Sequence, residues 1–126
     1  LTPIETIKLS TSILTAMQSL HQDFGILHRD LKTNNIIIEL RGEDFIAHLI
    51  DFGTSRLIQK SDKFFSGTIG YQAPETLAPM KERTIYTLQA DYFSVGIVLA
   101  ELLSKKNYQN FLTKLLKEWE QSGHLH

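Results

Sequence analysis

Apolar residues recur at Ile13, Met17, Leu20 and Phe24, with Ser10, Thr11, Gln18 and Ser19 between them, which predicts an amphipathic helix over roughly residues 4–22. Thr2, Pro3 and Glu5 give it a start: a capping hydroxyl, a proline in the first turn and a glutamate that reaches back. Gly25 ends it. The run "NIIIEL" then reads as a strand, "RGED" as a turn and "FIAHLID" as a second strand, so the pattern predicts a β-hairpin. Residues 54–75 carry Gly, Ser, Thr and Pro with little periodicity and read as an ordered loop. Residues 91–103, "DYFSVGIVLAELL", are apolar nearly all round, as in a helix buried in a core. Phe111, Leu112, Leu115, Leu116 and Trp119 predict a last amphipathic helix facing the body.

Composition narrows the class. The chain has 126 residues, 42% apolar and 21% charged, which suits one small domain with a core. A net charge of −1 gives no footprint for nucleic acid or a membrane surface. There is no cysteine, so disulfides, zinc–thiolate sites and a thiol nucleophile are excluded; a reducing, cytoplasmic setting is the expectation. The most apolar run, 92–103, is too short to cross a bilayer and contains Ser94 and Glu101. No signal-peptide pattern opens the chain, and its first residue is Leu, so a fragment or processed product is expected.

The predicted hairpin is flanked by "HRDLKTNN" and "DFG". Phosphoryl transfer needs an acceptor held in place, neutralised phosphate charge and a bound magnesium ion. A carboxylate orients the acceptor hydroxyl and takes its proton, a lysine holds the phosphate, and magnesium prefers oxygen ligands. Asp30, Lys32, Asn35 and Asp51 supply this set, and the hairpin brings both ends to one side.

"ILHRDLKTNNIII", "DFG", "GTIGYQAPE" and "DYFSVG", in this order, resemble the catalytic loop, magnesium motif, activation-segment end and following buried helix of eukaryotic protein kinases. Any one of these motifs is weak, but four in family order are hard to produce by chance. The resemblance implies a mainly α fold of the α+β kinase type. Residues 1–126 would be a partial kinase domain, its C-terminal lobe with a small catalytic hairpin and the N-terminal lobe absent. It further implies that Asp30 is the catalytic base, that Lys32 contacts the transferred phosphate and that Asn35 and Asp51 of the Asp51–Phe52–Gly53 motif hold Mg2+. Phe52 would pack behind, His28 would support the loop, and Thr68 would bond to Asp30 and Lys32. Asp91 would hold the backbone of the HRD turn, and Glu75 would pair with a later arginine, though no matching one follows. Lys32 and "GTIGYQAPE" resemble serine/threonine kinases, so ATP and a protein substrate are implied.

Simpler roles exist for single residues. Asp30 alone is most often a turn or cap residue, Asn35 a turn residue and Asp51 a strand-end cap. Their combination reverses those readings. His48 reads as solvent-facing, and His124 with His126 as a polar chain end rather than a metal pair. Arg29 and Arg56 resemble two arginines that grip a phosphorylated loop residue. The usual acceptor position, three before Gly67, is Phe64, which leaves Ser61 and Ser66 as alternatives.

No G-x-G-x-x-G, V-A-I-K-like or Walker stretch occurs in these residues. The nucleotide-cradling lobe is therefore expected in cis in a longer chain, with the isolated chain inactive. The alternative is a truncated kinase-like module that binds or scaffolds without catalysis. A small-molecule phosphotransferase fits less well, because such enzymes lack a segment ending like "GTIGYQAPE".

Overall fold

The computed structural model describes residues 2–104. The helix predicted around 111–119 and the His124/His126 pair lie outside the described residues. The elements run α1 (Pro3–Gln22), β1 (Ile26–Leu27), β2 (Ile36–Arg41), β3 (Asp44–Leu49), β4 (Arg56–Leu57) and α2 (Leu88–Leu103), with short 3-10 turns between.

The local signals at α1 act as expected. Thr2 accepts from the Glu5 amide and Glu5 reaches back to the Thr2 amide, a complete capping box with Pro3 in the first turn. At the other end Gly25 takes φ +64° and its amide bonds the His21 carbonyl, a left-handed stop that an L side chain resists. Leu9, Ile13, Met17 and Leu20 are buried along one stripe. Phe24, expected on that stripe, is 66% exposed instead, because it falls beyond the last helical turn.

The strands β2 and β3 pair antiparallel, Ile36 opposite Leu49, Ile38 opposite Ala47 and Leu40 opposite Phe45. Gly42, at φ +63°, starts the tight turn. The period of two sends Ile36, Ile38, Phe45 and Ala47 inward against α1 and α2, while Ile37 and His48 face outward. His48 bonds Glu39 across the exposed face at 2.9 Å.

Two expectations change. The stretch 54–75 is not all loop: β4 pairs antiparallel with β1, Leu27 opposite Arg56, and 3-10 turns form at Ile58–Lys60 and Pro74–Leu77. Such two-residue pairing is fixed by a distant partner and leaves no periodic trace. Helix α2 begins earlier than expected, at Leu88, and is buried on one side only. Val95, Val98 and Leu102 enter the main core, whereas Tyr92, Phe93 and Leu103 are exposed among the described residues. Its apolar composition exceeds what the described core covers. A second core of Leu27, Phe65, Ala73, Tyr86 and Ala90 packs beneath the segment that follows "DFG". No helix among the described residues is long and apolar enough to cross a membrane.

Candidate functional site

The loop from Leu27 to Asn35 joins β1 to β2, and the segment from Ile50 joins β3 to β4, so the hairpin places both motifs at its open end. The Ile50 amide donates to the Asn35 carbonyl at 2.9 Å and closes that end. His28 is fully buried. A carbonyl can only accept, so the 2.8 Å contact with the Ile50 oxygen means that His28 Nε2–H donates; Nδ1 is then free to accept from the Asp30 amide at 3.2 Å. One imidazole thus fixes the loop before the hairpin to the strand end after it. Its ring lies 5.2 Å from that of Phe52, which touches it on one side but remains 42% exposed rather than packed behind.

Asp30, Lys32 and Thr68 meet although Thr68 lies far along the chain. Thr68 Oγ1 donates to Asp30 Oδ1 at 2.7 Å, and Lys32 Nζ donates to Thr68 Oγ1 at 3.1 Å. Lys32 Nζ also stands 3.9 Å from Asp30 Oδ2. Asp30 Oδ2 has no hydrogen bond among the described residues, and the Asp30 side chain is 21% exposed.

Asn35 is buried, and its Nδ2 donates to the Asp30 carbonyl at 2.7 Å. That contact fixes the amide, leaving Oδ1 without a hydrogen bond among the described residues. Asp51 is exposed, makes no ion pair or side-chain hydrogen bond among them, and takes φ +61°. Two unengaged oxygen groups fit magnesium, which keeps waters and substrate phosphates and needs only one or two protein ligands. No cluster of three or more His, Asp or Glu side chains that could hold a metal occurs among the described residues. Gly53 follows in an open turn, with the Ser55 amide on the Phe52 carbonyl.

The turn at Arg29 has φ +74°, a conformation that costs a non-glycine residue about 1–3 kcal/mol and survives only where its surroundings enforce it. Asp91, fully buried in the first turn of α2, does so. Its Oδ2 accepts from the His28 amide at 2.8 Å and its Oδ1 from the Arg29 amide at 3.0 Å. Two partners that sequence reasoning missed complete the hub: His21 Nε2–H donates to Oδ2 at 2.8 Å and Tyr86 Oη to Oδ1 at 2.7 Å. Burial pushes the Asp91 carboxyl up, but the bonds from His21, Tyr86 and the two amides outweigh it and hold it below the ordinary carboxylate range. Burial, with the Asp91 charge beside it, pushes the Tyr86 hydroxyl far up, so it stays a donor. His21, near the end of α1, carried no signal beyond its place on the buried stripe.

Of the remaining expected residues, Glu75 is exposed and without an ion pair among the described residues. The Ser61 hydroxyl donates to the Tyr86 carbonyl at 2.7 Å. Ser66 is exposed on a cleft of about 380 Å³ shared with Arg29, Thr54, Arg56 and Phe64.

The family model of the protein kinase domain matches residues 1–121. Human dual specificity mitogen-activated protein kinase kinase 7 is 36% identical over 121 residues, which cover 88% of this chain and 28% of the relative. The probable L-type lectin-domain containing receptor kinase S.5 of Arabidopsis thaliana is 32% identical over 133 residues, covering 90% of this chain and 19% of the relative. Among solved structures, the Cydia pomonella granulovirus kinase PK-1 superposes with a TM-score of 0.63 at 28% identity, over 80% of this chain and 35% of that one. The chain thus spans less than a third of the length of these curated relatives.

Proposed function

The chain belongs to the protein kinase family, and from that premise we propose that its residues form the phosphoryl-transfer half of a serine/threonine protein kinase. The observation that carries this reading is the Asp30–Thr68–Lys32 cluster beside the unengaged oxygens of Asn35 and Asp51. Asp30 Oδ2 receives the proton of a protein Ser or Thr hydroxyl while that oxygen forms its bond to the γ-phosphorus of ATP; the β,γ-bridging bond breaks and ADP leaves. Thr68 holds the other carboxylate oxygen and keeps Lys32 beside it, where the ammonium faces the transferred phosphate. Asn35 Oδ1 and the Asp51 carboxylate would hold Mg2+, which would supply neutralisation of the phosphate charge.

The described residues correspond in this reading to the C-terminal lobe. A lobe that cradles ATP completes the site, since none of the phosphate-cradling glycine or lysine motifs occurs in these 126 residues. Serine/threonine preference is supported by Lys32 and by the segment "GTIGYQAPE"; relatives of dual specificity make it the point to test. The native protein, given Mg-ATP labelled in the γ-position and a mixed peptide library, should yield phosphoserine and phosphothreonine. Phosphotyrosine at a comparable level would overturn the preference, and no phosphoamino acid at all would favour a binding or scaffold role.

A further inference from the structure

Arg29 presents a problem of buried charge. Its side chain is only 3% exposed, and a guanidinium in that setting is costly unless paired. Its Nε donates to the Thr54 carbonyl at 2.6 Å, and its Nη1 finds a carboxylate oxygen, Asp62 Oδ1, at 3.2 Å. Asp62 Oδ2 stands 4.0 Å from Arg56 Nε. One carboxylate from the segment after "DFG" therefore lies between the two arginines for which the sequence suggested a phosphorylated residue.

Asp62 is also tied at two further points, one through its side chain and one through its backbone. Its Oδ1 accepts from the Phe64 amide at 3.0 Å, capping the next turn, and its carbonyl accepts from the Tyr86 amide at 3.0 Å. Tyr86 in turn reaches Asp91. The Ser61 hydroxyl is engaged by the Tyr86 carbonyl, whereas Ser66 opens on the cleft that Arg29 and Arg56 also line and is the rival phosphate carrier to be tested. Phe64, at the usual acceptor position, carries no hydroxyl at all.

We infer that Asp62 is the permanent acidic occupant of the Arg29–Arg56 site, and that it orders residues 54–68 without phosphorylation. The carboxylate supplies less charge than a phosphate and fewer acceptor oxygens. Its deficit is offset by the Phe64 amide and by main-chain anchoring to Tyr86, which a side-chain phosphate on Ser66 would not bring. The functional consequence, a segment constitutively shaped for an acceptor, rests on the phosphoryl-transfer reading; the ordering itself does not.

Hydrogen–deuterium exchange on the native, phosphatase-treated protein tests the ordering with no catalytic readout, so failure of the transfer reading leaves this test intact. Wild-type protein should protect the Phe64 and Tyr86 amides with or without phosphatase. In Asp62→Asn, which keeps the shape and loses the charge, both should exchange at least about tenfold faster, while Ala47 in β3 stays protected as an internal check on folding. Arg56→Gln, on the exposed side of the pair, should accelerate the Phe64 amide by a smaller factor. Unchanged protection in Asp62→Asn would overturn the inference. So would wild-type protection that appears only when Ser61 or Ser66 is phosphorylated.

Discussion

Replacing Asp91 with alanine removes the hub beneath the turn at His28 and Arg29. The carboxylate is fully buried and takes four donors: His21 Nε2 and His28 N at 2.8 Å, Arg29 N at 3.0 Å and Tyr86 Oη at 2.7 Å. The Tyr86 hydroxyl can rotate toward another acceptor. The two amides cannot, because they sit in a turn already held at φ +74°. A stranded buried donor costs about 1–3 kcal/mol, so this pair alone amounts to about 2–6 kcal/mol. Alanine also ends the burial of a charge, which offsets part, and the net loss should be about 3 kcal/mol. That is a large share of a typical total of about 5–15 kcal/mol. Asp91→Asn sharpens the test. Its remaining oxygen still serves Arg29 N and Tyr86 Oη, but its NH2 meets the His28 amide donor against donor, so about half the loss should remain. Urea denaturation at neutral pH, followed by circular dichroism, measures all three proteins. A loss below about 1 kcal/mol in the alanine variant would refute the hub as the support of the turn. Equal losses in both variants would refute the oxygen-by-oxygen assignment.

Because the Asp91 carboxyl is held below its ordinary value, its contribution is fully present above the unfolded pKa and lost as pH falls through the folded one. Wild-type stability should therefore drop below about pH 4 more steeply than that of Asp91→Asn, and parallel acid curves would contradict this. Thr68→Ala removes the hydroxyl between Asp30 and Lys32 and should lower kcat of the native kinase about tenfold, whereas Thr68→Ser should stay near wild type. Equal loss in both would place the role of Thr68 in its methyl group. Gly25→Ala meets no atom within 4 Å, so only its φ of +64° is at stake; thermal melting should show a loss of about 1 kcal/mol, and no loss would mean the turn relaxes freely.

What the sequence showed and what it hid follow from the range of the interactions. The capping box, the Gly25 stop and the Ile36–Leu49 hairpin depend on residues close along the chain, and their patterns were visible. The grouping of the candidate site was legible for the same reason: Asp30, Lys32 and Asn35 are nearly contiguous, and the hairpin carries Asp51 back to them. His21 and Tyr86 were not, because each matters only through Asp91, far away in sequence. A buried histidine on a helix stripe looks like any core residue. Asp62 was hidden differently: it sits in a polar loop stretch, and only the fold shows it between Arg29 and Arg56. Helix α2 misled by composition, since an all-round apolar sequence states what could be buried and not what covers it.

The most direct test compares the native protein with its Asp30→Asn variant, using Mg-ATP labelled in the γ-position and a serine- and threonine-containing peptide. Asparagine keeps an oxygen for the Thr68 hydroxyl at nearly the same size, so denaturation midpoints should match. Transfer should nevertheless fall by about 10²–10⁴-fold, the usual worth of a positioned base. Transfer that survives at wild-type rate in a folded Asp30→Asn protein would contradict the account, because the proton would then have another destination.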